Sequence, residues 1–193
     1  MSLTKYRFLD LLFFTVITGI IDIIMLIIIT NSITVRLYIS ISIPMLFLVY
    51  VRWRKYGVIT NICLAVIHFL GFMFIGGFNL ENLFAGLGNG LSILCVALVL
   101  IPIYWLKQRE RKFSFLTLSG CFLACYLCVF MTEYLITALT INTEIVQLIL
   151  FHGIDIFICY GLLALIYKTK NLFIYQIDYL IGLEEERKKS GRA

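Results

Sequence analysis

The chain has 193 residues, of which 62% are hydrophobic and only 14% are charged, and its mean hydropathy is +1.01. An average soluble domain is about 45–50% apolar, and a small domain leaves much of its surface in water. The composition therefore excludes a soluble enzyme, a disordered chain and a DNA-binding domain, although the formal net charge is +5. It predicts an all-α, polytopic membrane protein.

Six apolar stretches approach the roughly 20 residues that a membrane-spanning helix needs. These predicted helices cover residues 8–30, 35–51, 57–78, 83–104, 113–138 and 145–167. The first stretch has no small-residue cleavage site after a short core, so we expect a spanning helix there and not a signal peptide. Because the connectors are short, we expect one six-helix transmembrane domain over residues 1–170, followed by a tail over residues 171–193.

The basic residues predict the orientation of the bundle. With six spans, both termini and every basic residue except Arg36 fall on one side, and the positive-inside rule makes that side cytoplasmic. Trp53, Tyr56, Tyr104 and Trp105 are predicted at the same edge, as aromatic anchors at the headgroup level. We therefore expect a multi-pass cell-membrane protein with cytoplasmic N and C termini.

The tail is too polar to span a membrane. Its residues Leu172, Phe173, Ile177 and Leu180 fall near one helical face, which is typical of a helix lying in the membrane interface. The charged residues 184–189 that follow predict a solvated end. The tail is therefore expected to form a cytoplasmic interfacial helix with a charged terminus.

Ionisable side chains inside a membrane are costly and usually face the interior of the bundle. Few lie within the predicted helices. Four of these helices each carry a stripe of small or polar residues that is expected to face a common interior, and Asn89 lies on the stripe of the fourth helix. At about 1.5 Å per residue, most of the ionisable residues fall in the outer half of the membrane, where a site open to the outside would lie. The candidate substrate-binding residues are Asp22, His68, Asn89, Glu133, His152 and Asp155. The competing interpretation is that they only hold helices together.

Two of these residues share a face of the last predicted helix. His152 and Asp155 are three residues apart, so the imidazole could donate to that carboxylate. A metal site would need further ligands, for which His68 is a candidate, but no ligand spacing in the sequence supports one. We expect no metal, no cofactor and no catalytic residue, and hence not an enzyme.

All six cysteines lie inside apolar stretches, where a thiol behaves as a small hydrophobe, so disulfides are not expected. Cys121, Cys125 and Cys128 form a stripe that is either a soft-metal or redox face or plain packing. Gly86 and Gly90 form a G-x-x-x-G spacing, which permits close helix contact. Because no phosphate-binding G-x-x-x-x-G-K-[ST] loop occurs, any ATP hydrolysis would belong to another subunit.

A family resemblance rests on the segment IPMLF at residues 43–47 and the segment RWRKYGV at residues 52–58. This order of apolar helix, basic turn with a glycine and second apolar helix resembles the substrate-binding S components of energy-coupling factor (ECF) vitamin transporters. Length, six spans and cytoplasmic termini agree over almost the whole chain. The resemblance implies that Thr15 and Gly19 on the first helix pack against a shared transmembrane coupling subunit.

The resemblance also implies a mechanism. An S component captures a vitamin or similar small molecule in its outer half, and topples in the membrane when it docks on a coupling subunit and an ATPase pair. The loops 76–82 and 140–144 would close the site, and acids there would favour a cationic or donor-rich substrate. The expected partners are therefore substrate, lipid and the ATPase module, and not nucleic acid.

Two alternatives come from other functional classes. Small membrane subunits of cell-envelope machinery bind partner proteins and transport nothing, and sensor membrane modules end in a charged cytoplasmic helix. The polar residues in the outer half favour a transporter subunit, because a scaffold has no reason to carry their energetic cost.

Overall fold

The computed structural model describes residues 3–31, 40–108, 114–141, 145–168 and four single positions in the tail, 182, 186, 190 and 191. Its helices are α1 (Leu3–Asn31), α2 (Ser42–Trp53), α3 (Gly57–Ile75), α4 (Leu80–Leu94), α5 (Leu100–Gln108), α6 (Phe115–Ile141) and α7 (Ile145–Lys168). Short 3-10 turns join α2 to α3 and α4 to α5. The all-α prediction is confirmed over this part of the chain. The predicted interfacial helix of the tail lies outside the described residues.

Four described stretches are long and apolar enough to cross a membrane. They are Leu3–Ile28, Ser42–Ile75, Leu80–Tyr104 and Phe115–Ile136. The 24-residue α7 has a comparable length, and its described apolar part is Ile156–Leu165. These helices fit a membrane-embedded protein, as the composition predicts.

The second helix is shorter than predicted. The sequence suggested a span over 35–51, but Ser40 and Ile41 are not helical and α2 begins at Ser42. Pro44 lies in the first turn of α2, where its missing N–H removes no intrahelical bond. At about 1.5 Å per residue, the 12 residues of α2 cover roughly 18 Å, little more than half of a hydrocarbon core of about 30 Å. The other predicted helices differ from the observed ones by at most five residues at either end.

The chain reverses direction between α2 and α3. Ser42 Oγ, at the start of α2, lies 3.1 Å from His68 Nε2, well along α3, so the two helices are antiparallel. The stretch Ser42–Ile75 is therefore a hairpin whose turn is the 3-10 segment Arg54–Tyr56. Gly57 follows the turn, and a Cβ atom there would lie 2.9 Å from the Tyr50 ring. Glycine thus allows α2 and α3 to approach closely.

Helix α2 forms the centre of the bundle. Ten of its twelve residues are buried, and α1, α3, α7 and the 3-10 segment Cys95–Val99 pack around it. Phe47 of α2 meets Phe122 of α6 edge-on, with ring centroids 5.5 Å apart. The outward face of α1 is apolar and exposed, as expected for a surface in contact with lipid.

Helices α3 and α4 pack closely through the predicted G-x-x-x-G spacing. A Cβ atom on Gly86 would lie 3.1 Å from the Phe69 carbonyl oxygen, and one on Gly90 would lie 3.1 Å from the Ala65 carbonyl oxygen. The glycines therefore bring the backbones of the two helices together, as their spacing indicates.

A proline accounts for the break between α4 and α5. Pro102 has no N–H to donate to the carbonyl of Leu98, four residues earlier, and its ring would clash with that carbonyl. The 3-10 segment Cys95–Val99 ends three residues before Pro102. It lets the chain continue in the same direction without the missing α-helical hydrogen bond.

Candidate functional site

The two ends of the bundle differ in charge. Arg52, Arg54 and Lys55 lie at the turn between α2 and α3, and we call this the basic end. The start of α1 lies there too, since Asp10 contacts Arg52. The ends of α1 and α3 and the start of α4 lie at the opposite end. Two polar clusters lie between this opposite end and the middle of the bundle.

The first is the Asp22 cluster, formed by Asp22, Ser40, Ser42 and His68. His68 Nε2 lies 2.9 Å from Asp22 Oδ2. The hydroxyls of Ser42 and Ser40 also donate to Asp22 Oδ2, the latter over 3.3 Å. The Ile41 amide donates to Asp22 Oδ1 over 3.0 Å. The cluster therefore joins α1, α3 and the start of α2.

The Asp22 cluster is closed to its surroundings. The side chains of Asp22 and His68 are each 2% exposed. The carboxylate lies at the N-terminal end of α2, where unpaired amides and the helix dipole favour an anionic group. Groups from α2, from α3 and from the residues just before α2 already contact both of its oxygens, so the cluster anchors α2 to α1 and α3. The Cys159 thiol of α7 also donates to the Ser40 carbonyl over 3.9 Å.

The second is the Glu133 cluster, formed by Tyr126, Phe130 and Glu133 of α6 and His152 of α7. Tyr126, Phe130 and Glu133 share one face of α6 because they follow the i, i+4, i+7 spacing. His152 Nε2 lies 3.4 Å from Glu133 Oε2. The Tyr126 hydroxyl lies 3.1 Å from His152 Nδ1 and donates to the His152 carbonyl over 3.4 Å.

The Glu133 cluster is more open than the Asp22 cluster. The side chains of His152 and Glu133 are 14% and 19% exposed. The imidazole meets the Phe130 and Tyr126 rings edge-on, with centroids 5.0 and 5.7 Å away, and Tyr134 stacks on Phe130. A partly accessible carboxylate beside aromatic rings can bind a cation or a hydrogen-bond donor.

The remaining predicted site residues are placed as follows. Asn89 is buried in α4, 5% exposed. Asp155 lies on α7, one turn after His152, and its side chain lies outside the described residues. Thr15 and Gly19, which are predicted at a partner interface, face α3. Thr15 Oγ1 donates to Thr60 Oγ1 over 3.2 Å, and a Cβ atom on Gly19 would lie 3.0 Å from Ile67 Cδ1. Both residues therefore contribute to packing within the chain, and their contact with a coupling subunit stays a prediction.

The loop 76–82, expected to close the site, is a short turn. Gly76 to Asn79 separate α3 from α4. The Asn82 side chain donates to the carbonyls of Gly76 and Gly77, over 2.6 and 3.0 Å, and thus ties the turn to the start of α4. Residues 142–144 of the other expected loop lie outside the described part of the chain.

The sequence reasoning missed a third polar group, at the basic end. Asp10 lies 2.9 Å from Arg52 Nε and accepts from the Trp53 indole over 2.6 Å. Arg52 also donates to the Tyr6 hydroxyl over 2.9 Å. Trp53 is only 4% exposed, so the prediction that it anchors the lipid headgroup region is wrong. Asp10 lies inside the first predicted span, and an acid in such an apolar stretch indicates an ion pair with a basic residue of another helix.

The two serines of the Asp22 cluster were not predicted, whereas the cysteines were expected to be free. Ser40 and Ser42 were missed although they interrupt an apolar stretch just before Pro44. All six cysteines are free thiols, and Cys125 of the stripe is buried beside the Val96 carbonyl. No group of three or more metal-binding side chains occurs among the described residues.

No family model, no curated protein and no solved structure matches the chain.

Proposed function

We propose that this protein is a membrane-embedded substrate-binding subunit of the S-component kind. In this proposal six helical segments cross or enter the membrane, and the basic end and both termini face the cytoplasm. A small cationic or donor-rich molecule binds at the Glu133 cluster, in the outer half. The proposal depends on one observation, which is a partly exposed acid–histidine pair inside an apolar bundle, away from the basic end.

The difference between the two clusters supports the choice of site. A buried acid that only holds helices together is expected to be enclosed by its hydrogen-bond donors, as Asp22 is. Glu133, whose carboxylate lies 3.4 Å from His152 Nε2, keeps about a fifth of its side-chain surface exposed. Carboxylates in a membrane are too costly to be left accessible without a role.

The remaining predicted substrate-binding residues have different roles in this proposal. Asp22 and His68 lie beneath the site and support the fold. Their cluster includes Ser40, which contacts Cys159 of α7. Cys159 lies seven residues after His152, which is roughly 10 Å along α7. Asp155 lies between these two levels on α7 and stays a predicted substrate contact. Asn89 also stays a predicted substrate contact.

The first experiment identifies the partners. The protein is purified from its native host in mild detergent, and the recovered proteins are identified by mass spectrometry. Recovery of an ATPase pair with one larger membrane subunit supports the importer. Recovery of envelope-assembly proteins, or of no ATPase, supports the scaffold alternative and makes the polar clusters structural.

The second experiment tests the site itself. The purified protein in lipid nanodiscs is titrated with thiamine as a cationic probe and with biotin as an anionic probe. We expect tighter binding of thiamine, and we expect Glu133→Gln to weaken it by about tenfold or more, because a charge-assisted contact contributes about 1.5–3 kcal/mol.

A matched control separates the site from the overall charge. Glu81 is exposed in the first turn of α4, at the same end of the bundle, and Glu81→Gln removes the same charge. This variant is expected to bind like the wild type. Equal losses in the two variants, or binding of biotin alone, would contradict the proposed site.

A further inference from the structure

Two basic side chains lie over one tyrosine ring at the basic end, and a third basic residue lies in the same turn. The Arg7 guanidinium lies 3.9 Å from the centroid of the Tyr56 ring and 5.6 Å from that of Trp53. Lys55 Nζ lies 5.6 Å from the same Tyr56 ring, and Arg54 precedes it in the turn. We call Arg7, Arg54 and Lys55 the basic cluster. Two cations over a single ring are stabilised by its π face but repel each other.

The acid beside this cluster is already engaged. Asp10 holds Arg52 as an ion pair and accepts from the Trp53 indole. Arg7 Nε, in contrast, is buried and has no hydrogen-bond partner in the described part of the chain. A buried donor without an acceptor is costly, so the site lacks an anionic acceptor that would also screen the repulsion between the cations.

The backbone of Arg54 adds an independent observation. Its φ is 51° and its ψ is −126°, a conformation that glycine adopts readily and other residues adopt at a cost. Glycine would form this hairpin turn without strain. The chain nevertheless places an exposed, charged residue there, in the same turn as Lys55.

The position of the cluster selects the kind of anion. It lies at the hairpin turn and in the second turn of α1, where the apolar surfaces of these helices end. Tyr56 is 40% exposed, and an exposed tyrosine at the end of a membrane helix is typical of the headgroup level. Anionic lipids concentrate at that level and attract basic side chains beside membrane helices.

We infer that the basic cluster binds the phosphate group of an anionic phospholipid. The Arg7 guanidinium offers the fork geometry that pairs with phosphate oxygens, while Lys55 and Arg54 add charge from the turn. This inference requires only that the helices lie in a membrane, and it is independent of the importer role.

The test compares two lipids that differ in headgroup charge. The protein in neutral detergent is titrated with phosphatidylglycerol or with phosphatidylcholine of the same acyl chains, and bound lipid is counted by native mass spectrometry. The wild type is expected to prefer phosphatidylglycerol. Arg7→Gln and Lys55→Gln are each expected to weaken that binding by about fivefold, the usual contribution of one basic residue at a membrane surface. Lys168→Gln removes an exposed charge at the end of α7 and is expected to leave the preference unchanged.

Arg54→Gly separates binding from folding. Because glycine relieves the strained turn, this variant is expected to be at least as heat-stable as the wild type in neutral detergent, yet to bind phosphatidylglycerol more weakly. Unchanged lipid binding in Arg54→Gly and Arg7→Gln would overturn the inference. An equal loss in Lys168→Gln would do so too, because it would show attraction to overall charge only. Glycerol phosphate is the third probe, and binding of it as tight as that of the lipid would assign the site to a soluble phosphate and also overturn the inference.

Discussion

Three acids in the described helices each have a partner on a different helix. Asp10 of α1 pairs with Arg52 of α2, Asp22 of α1 with His68 of α3, and Glu133 of α6 with a histidine of α7. A charge removed from water needs such a partner, and losing one member leaves the other buried without compensation. These pairs therefore join helices as well as placing polar groups.

A double-mutant cycle tests the coupling between Asp22 and His68. We expect Asp22→Ala to lower the free energy of unfolding by about 3–5 kcal/mol, because it leaves the buried donors without an acceptor. His68→Ala is expected to cost less in the Asp22→Ala background than in the wild type, since their contact is already lost. Unfolding by a denaturing detergent in mixed micelles measures both. Additive effects, within about 0.5 kcal/mol, would show that the two side chains do not interact.

At the scale of the elements, α2 depends on its neighbours. A 12-residue helix is marginal by itself in water, and α2 begins within the bundle where its first amides need acceptors. The Asp22 carboxylate of α1 supplies one, through the Ile41 amide. The sequence shows the apolar stretch and the proline, but not the carboxylate 19 residues earlier that defines where this helix begins.

The contact between α3 and α4 yields a prediction with an internal control. We expect Gly90→Leu to lower the free energy of unfolding by about 1–3 kcal/mol or more, because the added side chain must displace the α3 backbone. Gly120 of α6 is exposed, and nothing lies within 4 Å of a Cβ atom built on it. Gly120→Leu is therefore expected to be neutral or slightly stabilising, since leucine has the higher helix propensity. The same unfolding assay compares the variants, and equal losses would contradict close packing at Gly90.

At the scale of the whole molecule, the proposed orientation follows from the separation of charge. The α2–α3 turn carries basic residues, whereas the α3–α4 turn, from Gly76 to Asn79, carries none. The positive-inside rule then places the first in the cytoplasm and the second outside. A substrate site at Glu133 would face the outside in that orientation.

Reporter fusions test this orientation. Alkaline phosphatase, which is active only outside the cytoplasm, is expected to be active when fused after Gly77 and inactive when fused after Arg54. A cytoplasmic fluorescent reporter at the same two points should give the opposite result. Activity after Arg54 would reverse the proposed topology and place the Glu133 cluster on the cytoplasmic side.

The polar residues of the helices show which contacts helical spacing can predict and which it cannot. Helical spacing correctly predicted that Asp22, His68 and Asn89 face the interior, because a single helix has a known periodicity. It paired His152 with Asp155 on the same helix, whereas the ion pair that the structure describes joins His152 to Glu133 of α6. Contacts between helices depend on their relative rotation and depth, which periodicity within one helix does not contain.

The sequence by itself determined the class of protein and the helical segments. Composition and the length of apolar stretches are local, additive properties, and they suffice to predict a bundle of helices suited to a membrane. Only the tertiary structure decided that α2 is a short central helix, that Thr15 and Gly19 pack inside the chain, and that Asp22 is enclosed while Glu133 stays accessible. The physical reason is that burial and pairing of a polar group depend on groups from distant parts of the chain, which meet only after the helices have packed.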